Sequence, residues 1–522
     1  MCQRCRKYAC IHRLLAYCSP PSFCYCVGVV QAFIEVMLLR LFSTCLLFCS
    51  ASTLQDGEIV YPTLVTPRSN KGRKVLLISQ DITLYLEKSQ VFSNDFIFIT
   101  ESTDEKIHYR MKREYYEKNL YHDEQSMASV IVDEDNGVQV EGILSDTMRI
   151  RPMTQMERSE DGRIPHIIYE VKLPLWTKED PRRYRKIHQQ PFIPVEERQE
   201  KPQKGRRKRR RKIQPEIHVI VDCAFAYEFR FSEFAVTLYV AVYFNAVNLR
   251  FGTIRRPRIR LRVVGITMWN TKPPYLVPGR EEDQVLDVET LKAFNNHYKG
   301  TIQFDNSDLM FLLTGLDMVF IEKNVTRTWV GGYANIGAIC QENKVAMAED
   351  RPRAFINVQT VAHEIGHSLG CAHDGEAAIQ QLPNHTSSES CPASDGYIMS
   401  YSWKGDNKYR FSNCCQQNIR NLVNQQPRWH CLIEVKIKKT ISNNKDLPGM
   451  RTTQEHFCQK TYLFDYDASY DKAYGVQDCR VRCQNKTERF TVSAVDGTPC
   501  EENTGPEKKH CILGKCIKIN KQ

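Results

Sequence analysis

The sequence predicts an α/β (α+β) unit on a twisted, mostly parallel sheet, with a β-rich segment before it and a small disulfide-rich module after it. Three observations carry this expectation. From Glu216 onwards, strand-like and helix-like stretches alternate, a pattern that folds back into a mostly parallel sheet. The 21 cysteines are unevenly placed, with none between positions 50 and 222 and a cluster from Cys458 on. The length of 522 residues is too great for one ordinary domain, so three or so units are expected.

Residues 1–36 carry six cysteines and no clear pattern, and are read as an upstream extension. From Met37 the chain runs M-L-L-R-L-F-S-T-C-L-L-F-C-S-A-S, a short basic start, an apolar stretch and the small residues Ser50, Ala51 and Ser52. That layout resembles a secretory signal peptide over 37–52, with cleavage expected near Ser52. A signal anchor competes, because the apolar character reaches back to Val27, but Glu35 and Arg40 near its middle make a membrane span costly. No stable span is expected, and the cysteine count fits an oxidising, extracellular setting.

Residues 53–211 form the β-rich segment, with apolar pieces such as 74–78 and 96–99 reading as strands. Its end, 181–212, is highly charged and poor in apolar residues, as expected of an exposed linker. The formal net charge of +11 invites a nucleic-acid reading, yet eight positive charges lie between Lys204 and Lys212 with no acid among them. Behind a signal peptide, the run from Arg206 to Arg211 reads as a proprotein convertase site, with a solvated basic face as the plain alternative. Cleavage there leaves a chain starting near Lys212 and sheds most of the excess charge, so no nucleic-acid partner is expected.

The unit at 212–432 follows. Residues 216–222 alternate as a first strand, and Ser232 offers an N-cap for a long apolar helix to about Arg250. Then come a strand at 258–269, a helix at 288–297, a strand at 309–313 and a closing helix at 411–422. Between them, the apolar run 355–362 leads into H-E-I-G-H-S-L-G-C-A-H-D, from His363 to Asp374. On a helix, His363 and His367 share one face. Gly366 keeps that face slim, and Gly370 can take a positive φ, reverse the chain and bring His373 to the same point. Three neutral imidazoles with one open position make a catalytic zinc site. Glu364, beside the first histidine, is placed to act on a water rather than on the metal, as general base and later acid. A bare H-E-x-x-H arises by chance in many helices; the glycine and third histidine at these offsets make the pattern specific.

The extended string resembles the metzincin endopeptidases, and Asp374 after the third histidine resembles their adamalysin (reprolysin) branch. The resemblance implies that Gly396-Tyr397-Ile398-Met399-Ser400-Tyr401 is the methionine turn, with Met399 under the metal. It also implies that G-G-Y-A-N-I-G-A-I-C, within 329–348, is the edge-strand region that pairs with extended substrate. A structural Ca2+ at Glu216 and Asp308, near Cys431, is implied more weakly, since each carboxylate is equally explicable as solvent-facing. So is a Cys340–Cys431 disulfide, which spacing alone leaves open. The pieces at 84–98, Tyr115-Tyr116, a turn at Gly142-Ile143-Leu144 and His166-Ile167-Ile168-Tyr169-Glu170 resemble the family's propeptide. Many relatives keep latency with a propeptide cysteine, and this segment has none.

Residues 433–522 comprise a Lys-rich hinge and a tail with Cys458, Cys479, Cys483, Cys500, Cys511 and Cys516, resembling the cysteine-rich module of thrombospondin-type relatives. Thirteen cysteines follow the signal, an odd number, and Cys223 is the expected unpaired one. Sequons at Asn324, Asn384 and Asn485 fit a glycosylated secreted protein. From Met37 onwards the whole arrangement resembles secreted reprolysin-like metalloproteases of tick salivary glands. That implies hydrolysis of internal bonds in extracellular proteins such as fibrin, fibrinogen or gelatin. The other class of reading is a secreted anti-haemostatic binding protein, using the protease fold as scaffold and the tail or Lys404-Gly405-Asp406 for adhesion. Intact histidines and an intact Glu364 favour the enzyme. The oligomeric state is not legible in the sequence.

Overall fold

The computed structural model describes residues 57–172 and 212–518, apart from 66–73, 105, 155, 329, 401, 426–427, 434–446, 462–467, 485–488, 496, 501–508 and 513–514. The expected signal peptide, basic run, hinge, Tyr401 and Asn485 lie outside the described residues.

Residues 57–171 build a nine-stranded antiparallel sheet, running in space from Gly57–Val60 at one edge to Thr63–Val65 at the other. Its core is aliphatic, with Leu76, Leu84, Leu86, Val130, Val140 and Ile150 buried together. Gly142 and Ile143 belong to the strand Gln139–Ile143, not to a turn, and the chain turns just after them, where the Leu144 amide donates to the Met148 carbonyl. Gly142 is required by close strand approach. A Cβ there would lie 2.4 Å from the Ser129 carbonyl oxygen, and its φ is +144°.

Between Thr83–Lys88 and Leu120–Asp123, which pair with each other, the chain leaves this sheet as a hairpin of β1 (Phe92–Glu101) and β2 (Lys106–Lys112). The buried Glu117 carboxylate marks the departure, accepting the amides of Val91 and Phe92 at 2.5 and 2.6 Å. The hairpin then becomes part of the sheet of the following unit.

That unit begins with β3 (Glu216–Val221), buried on both faces as a central parallel strand must be. The helix α1 (Glu233–Gly252) follows, capped by Ser232, whose hydroxyl accepts from the Ala235 amide. Next are β4 (Arg262–Trp269), α2 (Asp287–Tyr298), β5 (Leu309–Thr314), β6 (Gly332–Ala334), β7 (Val345–Glu349), α3 (Val358–Ser368) and α4 (Asn413–Val423). The sheet order is β6-β7-β5-β3-β4-β1-β2. The five inner strands are parallel and the two outer ones antiparallel. Among the described residues, α1 alone is long and apolar enough to cross a membrane, and it is buried inside the protein. Its apolar surface goes all the way round because the sheet, α3 and the nine-stranded sheet all pack on it.

Among the described residues, six disulfides join Cys340–Cys431, Cys371–Cys415, Cys391–Cys414, Cys458–Cys483, Cys479–Cys511 and Cys500–Cys516. The last three staple a small module that has few buried apolar groups of its own. The buried Cys223 takes part in none of them, as expected.

Candidate metal centre

The histidines come together as the spacing predicts. In α3, His363 and His367 lie one turn apart with ring centroids separated by 4.6 Å. The helix ends where Gly370 adopts φ +95°, with the Gly370 amide on the His367 carbonyl and the Cys371 amide on the Gly366 carbonyl. The reversal carries His373 back, so that its Nε2 lies 3.1 Å from Nε2 of both His363 and His367.

The outer nitrogens fix the tautomers. Nδ1 of His363 is 2.8 Å from the Ile398 carbonyl oxygen, and Nδ1 of His367 is 2.7 Å from that of Cys371. A carbonyl only accepts, so each ring carries its proton on Nδ1 and turns an Nε2 lone pair inward. Burial pushes the His363 pKa down to about 3, which keeps the ring neutral. Two inward lone pairs converge on the Nε2 of His373 at 3.1 Å, and a single proton there could serve only one of them, whereas a shared cation serves all three rings. The donor set therefore fits a small, nitrogen-preferring ion such as Zn2+. Nδ1 of His373 has a carboxylate as its neighbour, Glu376 Oε2 at 3.5 Å.

Glu364 is buried beside this centre. The edge strand β6 passes so close that a Cβ on Gly332 would lie 2.7 Å from Glu364 Cγ and 2.9 Å from its Oε1. Gly332 therefore sets how near the strand backbone comes to the carboxylate, a role the sequence did not single out. Met399 is fully buried, and its Sδ would be 2.8 Å from a Cβ at Gly366, which explains the slim helix face. The turn carrying Met399 is tied to the histidine string twice, through the Ile398 carbonyl on His363 and the Asp374 amide on the Met399 carbonyl at 3.0 Å.

Asp374 accepts from the Ser412 hydroxyl at 2.5 Å, and Ser412 in turn caps α4 through the Cys415 amide. Burial pushes the Asp374 carboxyl up to about 7. Cys371–Cys415 and Cys391–Cys414 fasten α4 to the same region.

Glu216 and Asp308 are brought together, remote in sequence but paired through the Glu216 amide on Asp308 Oδ2 at 2.9 Å and the Asp308 amide on the Glu216 carbonyl at 2.7 Å. Both are buried rather than solvent-facing, and the Cys340–Cys431 sulfurs lie within 4.8 Å of the Asp308 carboxylate. Asn324, Asn384 and the Lys404-Gly405-Asp406 tripeptide are exposed.

Missed by the sequence reading is the turn that launches α3. Asp350 accepts from the Tyr239 hydroxyl at 2.5 Å and from the amides of Ile356 and Asn357, while Phe355 stacks on Tyr239 with centroids 4.1 Å apart. Nothing in the local sequence marks Tyr239, more than a hundred residues earlier, as a partner of this turn.

A sheet of this order with such a centre defines a metallopeptidase. Residues 211–412 match Reprolysin_5, described as Metallo-peptidase family M12. Venom metalloproteinase antarease-like TtrivMP_A of Tityus trivittatus is 29% identical over 403 residues, 74% of this chain and 96% of that one. Venom metalloproteinase antarease-like TfasMP_A of Tityus fasciolatus is 31% identical over 231 residues, 42% of this chain and 95% of that one. A disintegrin and metalloproteinase with thrombospondin motifs like protein of Bombyx mori is 26% identical over 333 residues, 58% and 44% of the two chains. The chain belongs to the M12 metallopeptidases of reprolysin type. It is a metalloendopeptidase, a hydrolase. The first two of these relatives are scorpion venom proteins, where the sequence reading pointed to ticks.

Proposed function

We propose that this metalloendopeptidase is a secreted zinc enzyme hydrolysing internal peptide bonds of extracellular proteins of the matrix and fibrin or fibrinogen type. The observation that carries the reading is the convergence of three imidazole Nε2 atoms, with the outer nitrogens of His363 and His367 committed to backbone carbonyls. His363, His367 and His373 would hold the ion, and Zn2+ bound there supplies a Lewis acid that polarises a carbonyl and acidifies water. Glu364 takes the proton of the attacking water on its carboxylate and returns it to the leaving amine. Extended substrate lies along β6, which offers backbone donors and acceptors to almost any sequence and brings the scissile carbonyl past Glu364. Met399 and Gly366 keep the floor of the centre packed, and so its histidines in place.

Cleavage by a proprotein convertase in the run from Arg206 to Arg211 breaks the covalent link between the propeptide-like segment 53–211 and the catalytic unit and activates the enzyme. The signal expected at 37–52, the disulfides and the venom relatives support secretion. Glu216 and Asp308 would hold a structural Ca2+ beside the Cys340–Cys431 disulfide.

The test is the metal content of the purified full chain and of His373→Ala. One zinc per chain in the first and a large loss in the second are expected. Equal zinc in both would sink the assignment of the three histidines.

A further inference from the structure

We propose that residues 57–172 remain a non-covalent subunit of the enzyme after the chain is cut, rather than a leaving group, and that Arg149 holds the turn that launches α3. This rests on the reading that the chain is cut in the basic run.

The interface is of the kind found inside one protein. β1 pairs in parallel with β4, matching Gly265 to Trp269 against Ile97 to Glu101. Phe92, Phe96 and Phe98 are fully buried in one core with Val236, Val240 and Phe244 of α1. Without the hairpin, β4 becomes an open edge and this apolar surface meets water. Polar groups on α1 also depend on the N-terminal unit. Asn245 Nδ2 donates to Ser129 Oγ at 2.9 Å, and Ser129 Oγ donates to the Val242 carbonyl at 2.9 Å.

Arg149 carries the most specific contact. Only 2% exposed, it donates from Nε to the Ala354 carbonyl at 2.8 Å and from Nη2 to the Phe355 carbonyl at 2.7 Å. Its other donors go to the carbonyls of Ser145, Asp146 and Met148 in its own unit. The turn it grips has Arg353 at φ +71° and Phe355 at φ +50°, a conformation that costs side-chain-bearing residues energy unless something holds it. Ile167, Tyr169 and Val171 pack on Ile356 of the same turn. Two residues on, α3 begins and carries His363, Glu364 and His367. The unit thus buttresses the base of the metal-site helix. It also reaches the cysteine-rich module, through the Tyr115 hydroxyl on the Ala494 carbonyl at 2.9 Å.

The experiment uses the full chain from a secretory host, with a site for a specific protease inserted within 181–205. After cutting, the fragments are run on size exclusion in native buffer, and the fractions are assayed on gelatin. The expected result is co-elution at the mass of the uncut chain, unchanged melting temperature, gelatin cleavage by the pair, and separation only in denaturant. Arg149→Lys keeps the charge and loses the fork, and it should weaken retention about tenfold. Fragments that part in native buffer, leaving 212–522 with the melting temperature and activity of the pair, would overturn the proposal. So would a pair that is inactive while 212–522 alone cuts gelatin. Retention by Arg149→Lys equal to that of the parent would remove Arg149 from the account of the turn. N-terminal sequencing of the parent protein reports separately on the basic run. An intact run there would contradict the activation reading and leave the inserted-site result standing.

Discussion

At Glu364, position matters more than charge. The carboxylate is held against the backbone of Gly332 and next to His363, so it can serve a water at the histidine centre. Glu364→Ala should lower kcat by about a thousandfold while leaving zinc content unchanged, as expected for loss of a general base. Parallel kinetics and metal analysis check this, and zinc lost along with activity would instead give Glu364 a structural role. Asp350 gives a second prediction, about pH. Burial pushes its carboxyl up to about 7 from an ordinary 3.8, so the folded protein favours the protonated form. A raised carboxyl contributes stability that is full below pH 3.8 and is lost as pH rises through about 7. Asp350→Asn cannot ionise and keeps a carbonyl for the Ile356 and Asn357 amides. Its stability relative to the parent should improve between pH 4 and 7 by at most about 1.4 kcal/mol per unit. Denaturant titrations of both proteins across that range check it, and a flat difference would show that Asp350 is ionised in the fold. The residue scale was legible where chemistry is local. His363, His367, His373 and Glu364 stand out by spacing, whereas Asp350 and Arg149 act through partners that only the fold brings near.

Elements were legible to the extent that their signals are short-range. Ser232 and Ser412 cap α1 and α4 as hydroxyls just ahead of apolar runs do, and Gly370 stops the metal-site helix with a positive φ. The hairpin β1-β2 was not legible as part of the catalytic sheet. Its alternation predicts strands, but pairing across more than 160 residues leaves no mark in either strand. Gly332 was visible only as a member of an edge-strand string. Its substitution tests the packing of β6 on α3. Gly332→Ala places a Cβ 2.7 Å from Glu364 Cγ and 2.9 Å from Thr360 Cγ2, both side chains of α3. The carboxylate must shift, and a misplacement of this order should cost about a hundredfold in kcat with the fold retained. Wild-type kcat in that variant would show that the strand, not Glu364, gives way. For α4, removing Cys371–Cys415 as a double Ser variant should cost about 2 to 4 kcal/mol of stability. It should also weaken metal binding, because the Cys371 carbonyl holds His367 Nδ1. Calorimetry and a chelator competition check the two effects separately.

Across the whole molecule, two sheets share one helix. α1 lies between them, and the centre sits where α3, β6 and the Met399 turn meet. The length led to an expectation of three or so units, and it carried no sign that residues 92–112 add two strands to the catalytic sheet. A measurement of activity therefore belongs on the full chain, cut or uncut, rather than on the catalytic segment alone. The measurement to make is hydrolysis of gelatin and fibrinogen by the processed full chain and by its Glu364→Ala variant, each with and without a zinc chelator. Cleavage by the parent alone, abolished by chelator and restored by added Zn2+, is the expected result. A zinc-loaded parent that cuts neither protein would contradict the reading of these proteins as its substrates, and cleavage by Glu364→Ala at the parent's rate would contradict the mechanism.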